Sequence, residues 1–208
     1  PKAAMLSHGN LRANLEQLQV RPSRAQLADD VTLGVLPFFH IFGLNVVLGL
    51  TLYTGSCVLT IERFDPDSAL EAIAKYGVTV IADAPAMWAA WAHLPDTDEH
   101  ALATVRIAGS GAAKLDLDVR ASVAARFGVE IAEGYGLTEA SPVVATSSGV
   151  PAPAGSIGAP LPGVRLRLVD ASGHDVLVGD AGEIQVHGPN VFQGYWDDAE
   201  ATAGAFTP

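Results

Sequence analysis

The chain has 208 residues, 49% of them hydrophobic and 17% charged, and a mean hydropathy of +0.28. That is enough chain to bury a core without disulfide or metal staples, and too apolar for a disordered segment. Twelve Lys and Arg against 23 Asp and Glu give a net charge of −11 with no basic cluster, which excludes a nucleic-acid partner. The single Cys57 excludes an internal disulfide and suits a reducing cytoplasm.

Ser7 caps a helix running to Gln19, with Leu11, Leu15 and Leu18 on one face. Residues 31–61 contain no Lys, Arg, Asp or Glu, a run long enough to span a bilayer. Gly34, Pro37, His40, Gly43, Asn45, Gly49, Gly55 and Ser56 break it. It reads instead as a strand over 31–36, a helix over 41–52 and a strand over 56–61, with no transmembrane segment. Asp65-Pro66 opens a helix to Lys75, with Gly77 behind it. A strand over 78–82, a helix over 84–92, a surface connection over 95–100, a strand over 105–108, a helix over 115–127 and a strand over 129–132 follow.

This alternation defines the fold class as α/β, a parallel sheet with helices on both faces. The Ser-, Pro- and Ala-rich stretch at 147–155 has a linker's composition. Short strands at 164–169 and 183–187 come after it. We therefore expect an α/β subdomain over 1–147 and part of a small β-subdomain over 148–208. Asp197-Asp198 reads as a solvated turn.

Ligands of open parallel sheets bind beyond the carboxyl ends of the strands, so the segments there are the ones to inspect. Gly109-Ser110-Gly111 invites a dinucleotide reading, but Lys114 stands where the third glycine belongs; an ordinary tight turn explains the pair equally. In Glu133-Gly134-Tyr135-Gly136-Leu137-Thr138-Glu139, two glycines flank a stackable ring. A hydroxyl suited to phosphate and a carboxylate suited to a hard cation follow. The same residues also read as a plain turn with a surface tyrosine. His40 lies among aromatics with no second His or Cys at ligand spacing, which argues against zinc, and reads either as a core histidine or as a site residue. The absence of a Gly-x-Ser-x-Gly elbow argues against a serine hydrolase.

Four segments in this order resemble the adenylate-forming superfamily of acyl-CoA synthetases, aryl-CoA ligases, luciferases and peptide-synthetase adenylation domains. Pro1-Lys2-Ala3-Ala4-Met5-Leu6-Ser7-His8-Gly9-Asn10-Leu11 resembles the end of its phosphate loop, with Lys2-Ala3 where the family has Lys-Gly. Pro37-Phe38-Phe39-His40-Ile41-Phe42-Gly43 resembles its aromatic-His motif, and residues 133–141 its most diagnostic one. The stretch from Gly182 to Trp196 resembles the next.

The resemblance implies adenylation of a carboxylic acid by ATP and then thioester formation with coenzyme A. Tyr135 would stack on adenine, with Gly111, Ala112, Ala113, Glu133, Gly134 and Gly136 around it. Thr138 would hold the α-phosphate, Glu139 would carry Mg²⁺, and His40 would stand beside the carboxylate. The motifs are nearer the fatty-acyl and 4-coumarate ligases than the peptide-synthetase domains; luciferase-like chemistry, acyl-AMP ligation or a non-catalytic nucleotide- or acyl-binding module are the alternatives.

The family's preceding phosphate loop, ribose-binding aspartate and lysine-bearing small domain do not occur in these residues. By resemblance the chain is an internal piece of the large domain, inactive alone and prone to self-association through uncovered apolar faces. A cytoplasmic parent is expected, with peripheral membrane association left open.

Overall fold

The computed structural model describes residues 2–20 and 24–207, so Pro1, the first residue of the phosphate-loop resemblance, and Pro208 lie outside it. Seven strands form one sheet in the order β2-β1-β3-β4-β5-β6-β7. These are β1 Val31–Gly34, β2 Cys57–Thr60, β3 Val80–Asp83, β4 Ile107–Ser110, β5 Ile131–Gly136, β6 Val143–Thr146 and β7 Ala159–Pro160. The first five pair in parallel; β6 adds antiparallel to β5, and β7 antiparallel to β6. A separate ribbon pairs β8 Arg165–Val169 with β9 Glu183–His187.

The helices are α1 His8–Gln19, a π-helix Phe42–Gly49 continuing into α2 Leu50–Thr54, α3 Pro66–Tyr76, α4 Pro85–His93, α5 Leu117–Phe127 and α6 Ala199–Ala205. Their ends follow from the sequence. Ser7 and Asn10 make a reciprocal capping box on α1; Asp65 caps α3 and Asp116 caps α5, whose ends are closed by Gly77 and Gly128 at φ +63 and +68.

Alternation along the strands divides the sheet into two faces. Leu33, Ile81, Ala108 and Ile131 face a layer of α3, α4 and α5, where they meet Ile73, Trp88, Trp91, Val123 and Phe127. Both indoles are fully buried, and each donates its N–H to a backbone carbonyl, Trp88 to Gly109 and Trp91 to Pro66. Each such side chain contributes about 1.5–3 kcal/mol on burial. Val80, Ile107 and Ala132 border a cavity on the opposite face, which α1 and the π-helix flank.

Several expectations need correcting. The central strands β3, β4 and β5 each begin two residues later than read and extend further, taking Asp83, Ser110 and Glu133–Gly136 into the sheet. The 41–52 helix is a π-helix over most of its length. The sheet continues past residue 147 to β7, so the linker-like stretch connects two strands of one sheet. Of the Asp197-Asp198 pair, Asp197 is an exposed turn residue as read, but Asp198 is the cap of α6, accepting from the Ala201 N–H at 2.9 Å.

Candidate adenylate site

The strand order reverses direction between β1 and β3, and the crevice beyond the carboxyl ends of such strands is where open α/β sheets bind ligands. A cavity of about 460 Å³ lies along β3, β4 and β5 and reaches their carboxyl ends. Its lining includes His40, Gly111, Ala112, Gly134, Tyr135, Gly136, Thr138 and Glu139, the apolar side chains Ile41, Phe42, Val46, Leu50, Val80, Ile107 and Leu161, and the polar Gln17, Gln19, Arg24 and Gln26. The fold thus brings together segments spread over a hundred residues of chain.

Two expected members stand apart. Ala113 is exposed and does not border the cavity, and Glu133 does not border it either. Glu133 falls on the same face of β5 as Ile131, buried on the helix side, with Arg120 Nη1 at 3.9 Å from Oε1.

Each site segment is held by a recognisable device. At the end of β5 the register with β6 shifts between Tyr135 and Gly136, a bulge that turns the chain out of the ladder. A side chain at Gly136 would place Cβ 2.2 Å from the Pro142 carbonyl oxygen, so only glycine admits this approach. Thr138–Ala140 then forms one 3₁₀ turn that leaves Thr138 exposed and Glu139 half-buried. Ala112 holds φ +68, a left-handed conformation that costs a residue with a Cβ and that clusters at functional sites.

The His40 ring has a defined polarity. The Phe42 N–H donates to Nδ1 at 3.2 Å, so in the neutral ring the proton sits on Nε2, which is a donor. Glu139 accepts the Tyr195 hydroxyl at 2.6 Å through Oε1, and that bond pushes the phenol up to about 12. Asp83 lies just behind the site at the end of β3. Burial raises its carboxyl to about 7, only partly opposed by the Ala84 N–H at 3.0 Å.

Sequence reasoning missed what holds the loop after Glu139. Three asparagine amides stitch it. Asn45 Nδ2 donates to the Ser141 carbonyl at 2.6 Å, Asn14 Nδ2 to the Val143 carbonyl at 2.7 Å, and Asn190 Nδ2 to the Ala140 carbonyl at 2.7 Å. All three asparagines are buried. Buried asparagine requires such partners. An asparagine at a core position of an otherwise apolar helix, as Asn45 is, was the available signal.

The donor set fits a hard cation of the Mg²⁺ kind. Glu139 supplies a carboxylate and Thr138 a hydroxyl, and among the described residues no cluster of three or more His, Cys, Asp or Glu could form an all-protein cage. A cation bound through one carboxylate and substrate phosphate oxygens is the pattern Mg²⁺ favours.

An α/β domain with a cavity at the carboxyl edge of its parallel strands is the class that this fold and site define. Comparison with known proteins specifies it. The family model described as AMP-binding enzyme matches residues 1–196. The chain is 36% identical to 4-coumarate-CoA ligase 2 of Narcissus pseudonarcissus, covering 98% of this chain and 37% of that protein. It is 34% identical to the long-chain-fatty-acid–CoA ligase of Bacillus subtilis, with the same coverage. The crystal structure of apo MatB from Rhodopseudomonas palustris superimposes with a TM-score of 0.91 at 33% identity, over 99% of this chain and 40% of that one. The chain belongs to the AMP-binding, adenylate-forming family of enzymes, and its relatives are acyl- and aryl-CoA ligases. It spans about two fifths of the length of those relatives. Among the described residues no helix is long and apolar enough to cross a membrane.

Proposed function

We propose that this chain forms the adenylate-binding part of an ATP-dependent acid–CoA ligase, which activates a carboxylic acid as its acyl-adenylate and passes the acyl group to coenzyme A. The convergence of His40, Gly111-Ala112, Tyr135 and Thr138-Glu139 on one cavity carries the reading. The names of the relatives, 4-coumarate–CoA ligases and a long-chain-fatty-acid–CoA ligase, support the reaction type. The free, exposed Cys57 suits a cytoplasmic setting.

A carboxylate oxygen attacks the α-phosphorus of ATP as the bond to pyrophosphate breaks, and the coenzyme A thiol then displaces AMP from the acyl-adenylate. The first step brings one anion onto another, so charge neutralisation and alignment matter more than a general base. Tyr135, between Gly134 and Gly136, offers its ring face to the adenine, while the Gly111-Ala112 backbone lines the same cavity. Thr138 donates its hydroxyl to the α-phosphate. Glu139 would hold Mg²⁺, which when bound would offset phosphate charge. His40 donates from Nε2 to the acid's carboxylate and orients it toward the phosphorus. The apolar interior, from Phe42 and Val46 to Val80 and Ile107, takes an apolar acyl body, fatty or aromatic.

Calorimetric titration with a non-hydrolysable acyl-AMP analogue and Mg²⁺ tests the assignment. Binding is expected, and Tyr135→Ala should weaken it by about 1–3 kcal/mol, the worth of one base–aromatic stack. An alanine variant that binds as tightly as the unsubstituted chain would remove Tyr135 from the adenine site.

A further inference from the structure

The Glu139 carboxylate is oriented from another part of the chain. Its own 3₁₀ turn gives it backbone placement only; the Phe192 N–H donates to the Glu139 carbonyl at 2.8 Å, and the Tyr195 hydroxyl donates to Oε1 at 2.6 Å. Among the described residues this is the one hydrogen bond that the carboxylate accepts. It occupies Oε1 and leaves Oε2 for another partner.

Tyr195 is itself fixed on every side. Its backbone bridges Ala4, flanked by Met5 N–H to the Gly194 carbonyl at 2.9 Å and Trp196 N–H to the Ala3 carbonyl at 2.8 Å. Its own N–H donates to Thr202 Oγ1 at 2.9 Å. Phe192 packs edge-on against the ring at 4.9 Å, and the Lys2 ammonium lies over it at 5.0 Å. The ring therefore touches a cationic side chain through its face and an anionic one through its hydroxyl.

We propose that Tyr195 is a positioning residue for cation binding: its hydroxyl locks Glu139 through Oε1 so that Oε2 is the oxygen given to a divalent cation. This rests on the reading of Glu139 as the cation-holding residue. A free glutamate must lose its rotamer freedom when it takes up a metal; here the hydrogen bond restricts that freedom beforehand. Partners that orient a metal's ligands typically govern affinity by about 10- to 100-fold.

The test is the affinity of this chain for Mn²⁺-ATP, read by water-proton relaxation enhancement, beside its affinity for ATP in EDTA, read by calorimetry. Tyr195→Phe keeps the ring, and so its contacts with Phe192 and Lys2; its far-UV circular dichroism should match that of the unsubstituted chain. We expect Tyr195→Phe to bind Mn²⁺-ATP about tenfold more weakly while metal-free ATP affinity stays within twofold. Glu139→Gln should lose the Mn²⁺ dependence altogether. If Tyr195→Phe binds Mn²⁺-ATP within twofold of the unsubstituted chain while Glu139→Gln does not, the positioning role is wrong and the reading of Glu139 stands. Equal weakening of both affinities would make Tyr195 a merely structural support and overturn the proposal. A Glu139→Gln variant that keeps its Mn²⁺ dependence, or an unsubstituted chain with none, would overturn the reading of Glu139 and this proposal with it.

Discussion

The two faces of the sheet differ in the balance of packing and directional hydrogen bonds that holds them, although a smaller apolar cluster around Ala140, Val144 and Leu161 also supports the site side. On the helix side, Trp88, Trp91, Ile73, Val123 and Ile131 are buried in close contact, and the two indoles meet edge-to-face with centroids 5.3 Å apart. On the site side the loop after Glu139 is positioned by asparagine amides reaching backbone carbonyls. Packing is non-directional and resists compression, which suits a foundation. Hydrogen bonds are directional, so they place a backbone accurately while leaving the space in front of it open to a ligand. A binding site built at the edge of a sheet needs the second kind of support.

That contrast can be broken from either side. The largest effect should come from Trp88→Ala, which empties the middle of the helix-side core and is expected to cost about 3–5 kcal/mol in urea unfolding. Asp83→Asn probes the border between the two regions. The folded carboxyl titrates at about 7 against 3.8 for the free side chain, so the folded state holds its proton more tightly than the unfolded state does. Asp83 therefore withdraws stability as pH rises from about 4 to about 7, and the loss is complete above that, at most about 4 kcal/mol. The asparagine variant should show a flatter stability–pH profile and exceed the unsubstituted chain at pH 8. A parallel pair of profiles would show that Asp83 stays charged in the folded state. The smallest loss of stability, about 1–3 kcal/mol, is expected of Asn45→Ala, which strips the Ser141 carbonyl of its donor. Its distinguishing mark is functional: calorimetry should show it losing more acyl-AMP-analogue affinity per kcal/mol of stability than Trp88→Ala does.

Much of this was readable from the residues in order. Helix ends were legible where a cap was recognised, because capping is local chemistry: Ser7, Asp65 and Gly77 act on groups within a turn of themselves, whereas the Asp116 cap was read as part of its helix. The parallel strands were legible from their apolar runs, but their carboxyl ends were not. Asp83, Ser110 and Glu133 look like the start of loops, yet each is buried within a strand, where the sheet meets the site. The strands β6 and β7 escaped notice because four and two residues are too short to show an alternating pattern of their own. The site residues could be named from their chemistry and the family resemblance. The tie from Tyr195 to Glu139 could not, because it joins positions 56 residues apart.

The π-helix over Phe42–Gly49 has a consequence for how the cavity wall can vary. Such a segment accommodates one residue more per turn than an α-helix and recurs at functional sites. Removing a single residue between Phe42 and Gly49 would let part of the stretch rewind as an α-helix, the tighter winding taking up the lost residue and re-aiming the side chains within it. Phe42, which stands against Gly111, and Val46, inside the cavity, would exchange places with their neighbours while the flanking chain kept its path. The shape of this cavity is thus open to change by deletion as well as by substitution, a one-residue gear that the side-chain composition alone does not reveal.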